Sequence, residues 1–152
     1  MKRTESMASK KKNEDWGVEY FKRHGTDDPD ERVLGRDFLS SIPPKVRARF
    51  VSLLEAIADG PPISFPGGGY WEAMHDAMAG YYEVRVDSKD THYRLFCLLE
   101  RDGTKVGLAG PSVVIIDGRT KPFRTVLAES DYAEVKKLGL EYLARNPRSV
   151  LM

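Results

Sequence analysis

Tyr81-Tyr82-Glu83-Val84-Arg85-Val86-Asp87 and, beyond Ser88-Lys89-Asp90, Thr91-His92-Tyr93-Arg94-Leu95-Phe96-Cys97-Leu98-Leu99-Glu100 are two runs rich in β-branched and aromatic residues. With a turn between them they read as an antiparallel hairpin. Tyr82, Val84 and Val86 share one face of the first run, and Tyr93, Leu95, Cys97 and Leu99 share one face of the second. Bringing these apolar sets together fixes the register, because a slip of one residue turns either set to the opposite face. With residues 88–91 as the turn, Val86 faces Tyr93, Val84 faces Leu95 and Tyr82 faces Cys97. The other face then collects Glu83, Arg85, Asp87, His92 and Arg94.

In this register Arg85 lies directly opposite Arg94, and like charges across a strand pair repel unless acids or a bound anion balance them. Two readings fit: a solvated face on which Glu83 and Asp87 do the balancing, or two guanidiniums placed to grip a phosphate. Ser112 to Asp117 forms a third strand, followed by a charged loop, Gly118-Arg119-Thr120-Lys121-Pro122-Phe123-Arg124. Convergence of the strand pair with this strand end would bring Arg85, Arg94, Arg119 and Lys121 to one surface.

Outward from the hairpin, Trp16 to Phe21 suits a short leading strand. Asp28-Pro29 is a helix-start signal, with Val33, Leu34, Phe38 and Leu39 at helical spacing after it. Past Pro43 and Pro44, the residues Val46, Phe50, Leu53, Leu54 and Ile57 line one stripe of a second helix, while Lys45, Arg47, Arg49 and Glu55 occupy other faces. Residues 60–69, GPPISFPGGG, make a turn-rich connection. It lacks the lysine and hydroxyl residue of a phosphate loop. Asp131 with Glu134 reads as a capping box for a last helix carrying Tyr132, Val135, Leu138, Tyr142 and Leu143 and ending near Asn146-Pro147. The expected fold is therefore α+β: one domain over 16–152, behind a polar tail, 1–15, that holds Lys10, Lys11 and Lys12.

The 152 residues are 41% hydrophobic and 31% charged, a globular balance that needs neither metal nor disulfide to hold it together. No run approaches the roughly 18 apolar residues of a membrane span. The net charge of +1 excludes a polycation that coats nucleic acid by charge alone. Cys97 is the lone cysteine and has the parity of the core, which fits an inert thiol and a reducing, cytoplasmic address. His24, His75 and His92 stand far apart without partners at metal-ligand spacing, so neither a metal nor another cofactor is expected. No GxSxG elbow surrounds Ser112.

Gly80-Tyr81-Tyr82-Glu83-Val84-Arg85-Val86, then His92-Tyr93-Arg94-Leu95-Phe96, then Val114-Ile115-Ile116-Asp117-Gly118-Arg119-Thr120-Lys121 resemble the G-L-Y-E-L-R, Y-R-I/L-F and hydrophobic-x-G-x-x-K blocks of RelE/HigB-like toxins, in particular their phage-derived branch. Phe38 to Pro43 before a helix is similar to that branch too, and the resemblance covers roughly residues 16–146. It implies a helical hairpin packed on a small antiparallel sheet and cleavage of messenger RNA on the ribosome. It also implies a small helix-turn-helix antitoxin, HigA-like, as partner. Arg85, Arg94 and Lys121 fall on the basic positions of the motif. Arg119 takes a position that is usually apolar there, and Pro122 replaces a second basic residue.

Cleaving RNA without a metal requires the 2′-hydroxyl to lose a proton and attack the adjacent phosphorus in line. Arg85 and Arg94 suit the charge that develops, because a guanidinium stays protonated and holds two phosphate oxygens at once. Lys121, crowded by arginines, is the better proton-transfer group. His92 is an alternative acid or base, and Arg119, Arg124 and Tyr93 are candidate RNA contacts, although Tyr93 has the parity of the core. A non-catalytic binding protein on the same fold, such as a ParE-like inhibitor of gyrase, is the rival reading.

Overall fold

The computed structural model describes residues 16–60, 62 and 69–152. The expected tail and most of the 60–69 connection lie outside the described residues. Among the described residues the elements run β1 (Gly17–Tyr20), α1 (Leu34–Ser41), α2 (Pro44–Asp59), β2 (Trp71–Ala73), β3 (Tyr81–Ser88), β4 (Thr91–Glu100), β5 (Ser112–Pro122) and α3 (Glu129–Leu143). The strands make one sheet in the order β1-β5-β4-β3-β2. It is antiparallel throughout except where β1 runs parallel to β5. The fold class is α+β, as the patterning predicts.

The hairpin has the expected register: Val86 pairs with Tyr93, Val84 with Leu95, Tyr82 with Cys97 and Arg85 with Arg94. Its apolar face lies under the helical hairpin, where Leu39, Val46, Phe50, Leu54 and Ile57 pack on Val84, Val86, Leu95 and Cys97. Burying a side chain of this size stabilises by roughly 1.5–3 kcal/mol. That packing holds α2 in place, since no side chain caps its N-terminus.

The second face departs from expectation. It is no solvated, mixed-charge surface, because Phe96, Leu98, Val114 and Ile116 form a second core with Val135 and Tyr142 of α3. The charges occupy only one end of that face. The runs Leu95 to Leu99 and Val113 to Ile116 contain no polar alternate, which is the mark of strands covered on both sides.

Three boundaries also move. The first helix starts at Leu34 and not at Asp28. Asp28 is buried, and its carboxylate accepts hydrogen bonds from the Asp30 and Arg32 backbone N–H groups and from Arg32 Nε, closing a loop instead of capping a helix. The last helix starts at Glu129, so Asp131 sits in its first turn and accepts from Ala128 N–H at 3.2 Å. The expected box of Asp131 with Glu134 does not form, because Asp131 is the third residue of the helix and reaches back to Ala128; its other oxygen and Glu134 hold Arg119. β2 is an addition, too short for periodicity to reveal.

The third strand continues past Asp117 to Pro122, through the stretch expected to be a loop. A bulge makes this possible: Cys97 pairs with Ile115 but Phe96 pairs with Asp117, leaving Ile116 as an extra residue. An extra residue inverts the alternation beyond it. Asp117, Arg119 and Lys121 therefore join Arg94 and His92 on the α3 side, and Gly118 turns toward α1. A Cβ built on Gly118 would stand 2.2 Å from the Phe38 ring. Gly118→Ala is accordingly expected to cost about 1–3 kcal/mol by overpacking, measured by urea denaturation. Gly110→Ala, where a Cβ meets nothing within 4 Å, is expected to leave the midpoint nearly unchanged.

Candidate functional site

Beyond the second core, strand pairing sets side chains from β3, β4 and β5 in rows: Asp87, His92 and Lys121; Arg85, Arg94 and Arg119; Glu83, Phe96 and Asp117. The first two rows open onto a cleft of about 540 Å³ lined by Arg85, Asp87, His92, Arg94 and Lys121, with Arg49 of α2 and Tyr70 at its side. This volume lies within the range of small-molecule sites. A second cavity, about 510 Å³ between the turn Asp76–Met78 and α3, holds none of the residues that the sequence singles out.

Arg94 is the fixed member. It is only 5% exposed, and its Nη1 donates to Asp87 Oδ1 and to the Tyr93 carbonyl oxygen, both at 2.9 Å. Two hydrogen bonds answer for its burial, which the sequence reading did not foresee. Arg85 is looser. Its Nε lies 2.9 Å from Glu83 Oε1 but is buried and makes no hydrogen bond among the described residues, while the side chain as a whole stays part-exposed at the cleft.

Lys121 makes no ion pair among the described residues. Burial and the neighbouring Arg94 and Arg85 charges outweigh the acids Glu83 and Asp87 and hold its ammonium below the ordinary lysine value, the direction expected from crowding. Asp87 moves the other way. Burial opposes its ionisation, but hydrogen bonds from His92 and Arg94 prevail and keep its carboxyl below the ordinary range.

His92 is engaged at both ring nitrogens: Nδ1 stands 2.5 Å from Asp87 Oδ1, and Nε2 accepts from Arg124 N–H at 3.3 Å. With Nε2 accepting, the contact to Asp87 is donated from Nδ1. The geometry makes it a positioning residue for Asp87, in place of the free acid or base considered from the sequence.

The remaining sequence-derived residues divide. Arg119 is in the right row but spent, caged by Asp117, Asp131 and Glu134 at 2.9–3.0 Å; it fastens α3 to β5. Tyr93 is buried in the core beneath α2, on the face opposite the cleft, which removes it as a stacking group. Arg124 is exposed just outside, its guanidinium 5.7 Å from the Phe123 ring centroid. Cys97 is fully buried, and burial drives its thiol well above its ordinary value, so it is inert. Arg49 and Tyr70 were missed, since neither lies near the strand motifs and only folding brings them beside Arg85.

Arg49, Arg85, Arg94 and Lys121 face the carboxylates of Glu83 and Asp87, a formal excess of two positive charges. No group of His, Cys, Asp and Glu among the described residues is arranged to hold a metal ion. No helix of the described residues is long and apolar enough to cross a membrane. Chemically the cleft can bind an anion, hold it bidentately and offer one lysine with an easily surrendered proton.

No family model matches the chain, and no curated protein matches it. Among solved structures, a chain of the crystal structure of the toxin–antitoxin complex RelBE2 from Mycobacterium tuberculosis is similar at 21% identity and a TM-score of 0.35, over 71% of this chain and 98% of that one. The α+β class stands on the sheet and helices themselves.

A lowered carboxyl pKa contributes stability above the unfolded value of ~3.9, which is lost as pH falls through the folded value. Asp87→Asn is therefore expected to melt at a lower temperature than wild type at pH 7. The gap should narrow as the pH is taken down through the carboxylate range, followed by thermal melts from pH 7 to 3.

Proposed function

We propose that the protein is a toxin of a toxin–antitoxin pair that cleaves messenger RNA at this cleft while the message is held on the ribosome. The observation that carries the reading is the meeting of Arg85, Arg94 and Lys121 around one cleft, since these are the positions that the resemblance to RelE/HigB-like toxins marks as basic. Arg94, held by Asp87, is pre-set to receive the scissile phosphate, and the part-exposed guanidinium of Arg85 adds a second grip. Solvent water takes the proton of the 2′-hydroxyl as its oxygen bonds to phosphorus, the P–O5′ bond breaks to leave a 2′,3′-cyclic phosphate, and Lys121, its pKa lowered, passes a proton to the leaving 5′-oxygen. With no second free acid or base in the cleft, the ribosome supplies much of the orientation. The partner is a small helix-turn-helix antitoxin. α3 exposes Leu140 and Leu143, apolar surface of the kind a partner covers.

One observation favours the rival, a binder without chemistry: both nitrogens of His92 are already engaged. The two readings diverge in a cell. Under the first, inducing the protein in a bacterium arrests growth, and primer extension finds cut translated messages, while purified protein barely touches naked RNA. Arrest with intact messages would support the gyrase-type rival.

Arg85→Ala and Lys121→Ala are expected to fold, as changes to side chains away from the core usually shift stability by less than about 0.5 kcal/mol, and to slow cleavage roughly ten- to a hundredfold. Lys121→Arg keeps the charge but gives up no proton, so it should be nearly as slow as the alanine variant. Full activity in Lys121→Arg would leave this residue only an electrostatic part. Arg94→Ala removes buried hydrogen bonds to a charged group, worth ~1.5–3 kcal/mol each, so its phenotype would report folding as well as chemistry.

A further inference from the structure

Tyr70 lines the cleft, and a second exposed aromatic ring, Phe123, stands against His92, which lines it too. Tyr70, 44% exposed, lies where its carbonyl accepts the Arg85 N–H at 2.9 Å, and the Arg49 guanidinium sits 5.2 Å from its ring centroid. Phe123, 46% exposed, packs on the opposite side against His92 with ring centroids 4.8 Å apart, and carries Arg124 over its ring. Tyr70 precedes β2 and Phe123 follows β5, so β3 and β4 and their cations lie between. Three strand spacings of ~4.8 Å separate them laterally, and Phe123, whose N–H donates to the Asp90 carbonyl, lies further along the strands toward the hairpin turn.

Each ring keeps close to half of its surface open to solvent. Trp71, next to Tyr70, is instead buried and stacked on Tyr82. A cationic floor between aromatic rims fits a ligand that alternates anionic links with flat apolar plates, as a single-stranded polynucleotide does. A duplex hides its base faces, and a lone phosphate has none.

We infer that Tyr70 and Phe123 are base-stacking platforms, and that the cleft takes a single strand crossing β3 and β4 with a base on each ring and the intervening phosphates on Arg85, Arg94 and Lys121. Arg49 and Arg124 hold the rings and supply charge at the two exits. The assignment rests on the cleft binding a phosphodiester backbone. It adds that the bases are gripped by their faces, so that affinity depends on their presence more than on their identity.

The test is fluorescence anisotropy with a labelled single-stranded oligoribonucleotide of mixed sequence, an abasic strand of the same length and the corresponding duplex. The wild-type protein is expected to bind the base-bearing strand about five- to a hundredfold more tightly than the abasic one, and to bind the duplex no better than the abasic strand. Tyr70→Ala and Phe123→Ala should each shrink that ratio, Tyr70→Phe and Phe123→Trp should keep it, and Lys121→Ala should weaken both strands while leaving the ratio. Equal binding of base-bearing and abasic strands by the wild type would overturn the stacking assignment and spare the phosphate cleft. Preference for the duplex would overturn it as well. Binding of none of the three would overturn both together.

Discussion

Arg85, Arg94 and Arg119 lie side by side on three adjacent strands, an arrangement that repels itself and that the surrounding structure is organised to contain. Like charges directly opposite on a sheet destabilise it unless they are compensated. Compensation here is graded. Arg119 has three carboxylates, Arg94 has one carboxylate and a carbonyl, and Arg85 has a misaligned glutamate. Charge is thus fully answered where α3 must dock and progressively less so toward β3. The bulge at Ile116 is what sets the row, because without it Arg119 and Lys121 would face α1 and Asp117 would be driven toward the other core.

The fold was legible where two apolar sets had to meet. The hairpin register followed from Tyr82, Val84 and Val86 against Tyr93, Leu95 and Cys97, since one residue of slip would expose them all. The second layer was present in the sequence but harder to read: Phe96 and Leu98 sit on the face that also bears Arg94, and the charged neighbours pointed to solvent. Burial of Arg94 depends on what α3 covers, which is a tertiary matter. The extent of β5 was hidden for a related reason. Polar residues beyond Asp117 look like a loop, yet they can continue a strand when the face they reach is a cleft.

The site was partly legible for the same physical reason. Local alternation placed Arg85 and Arg94 together, but no local rule predicts a bulge, and the arrival of Lys121 beside them depends on it. Arg49 and Tyr70 come from a helix and a connection whose approach is set by the packing of α2. His92 looked like a chemical group because histidine titrates near neutrality; its ring is instead a strut between Asp87 and the turn at Arg124. Catalytic-looking residue types thus became structural ones wherever a neighbour was close enough to occupy their polar atoms.

Among the described residues β1 has one strand partner, β5, and the next residue, Phe21, donates its N–H to Ile115 and bridges to Val150. Both partners lie far along the chain from it, so β1 forms no strand pair among the described residues until β5 is available. Contacts this distant in sequence are slow to form, because the chain entropy of closing the intervening loop is lost before they can repay it. β3 and β4 can zip locally in the meantime. Until β5 arrives, however, Arg119 and Lys121 are not in their rows and the cleft does not exist. The cleft is therefore a product of the β4–β5 pairing, and it cannot be assembled from the hairpin alone.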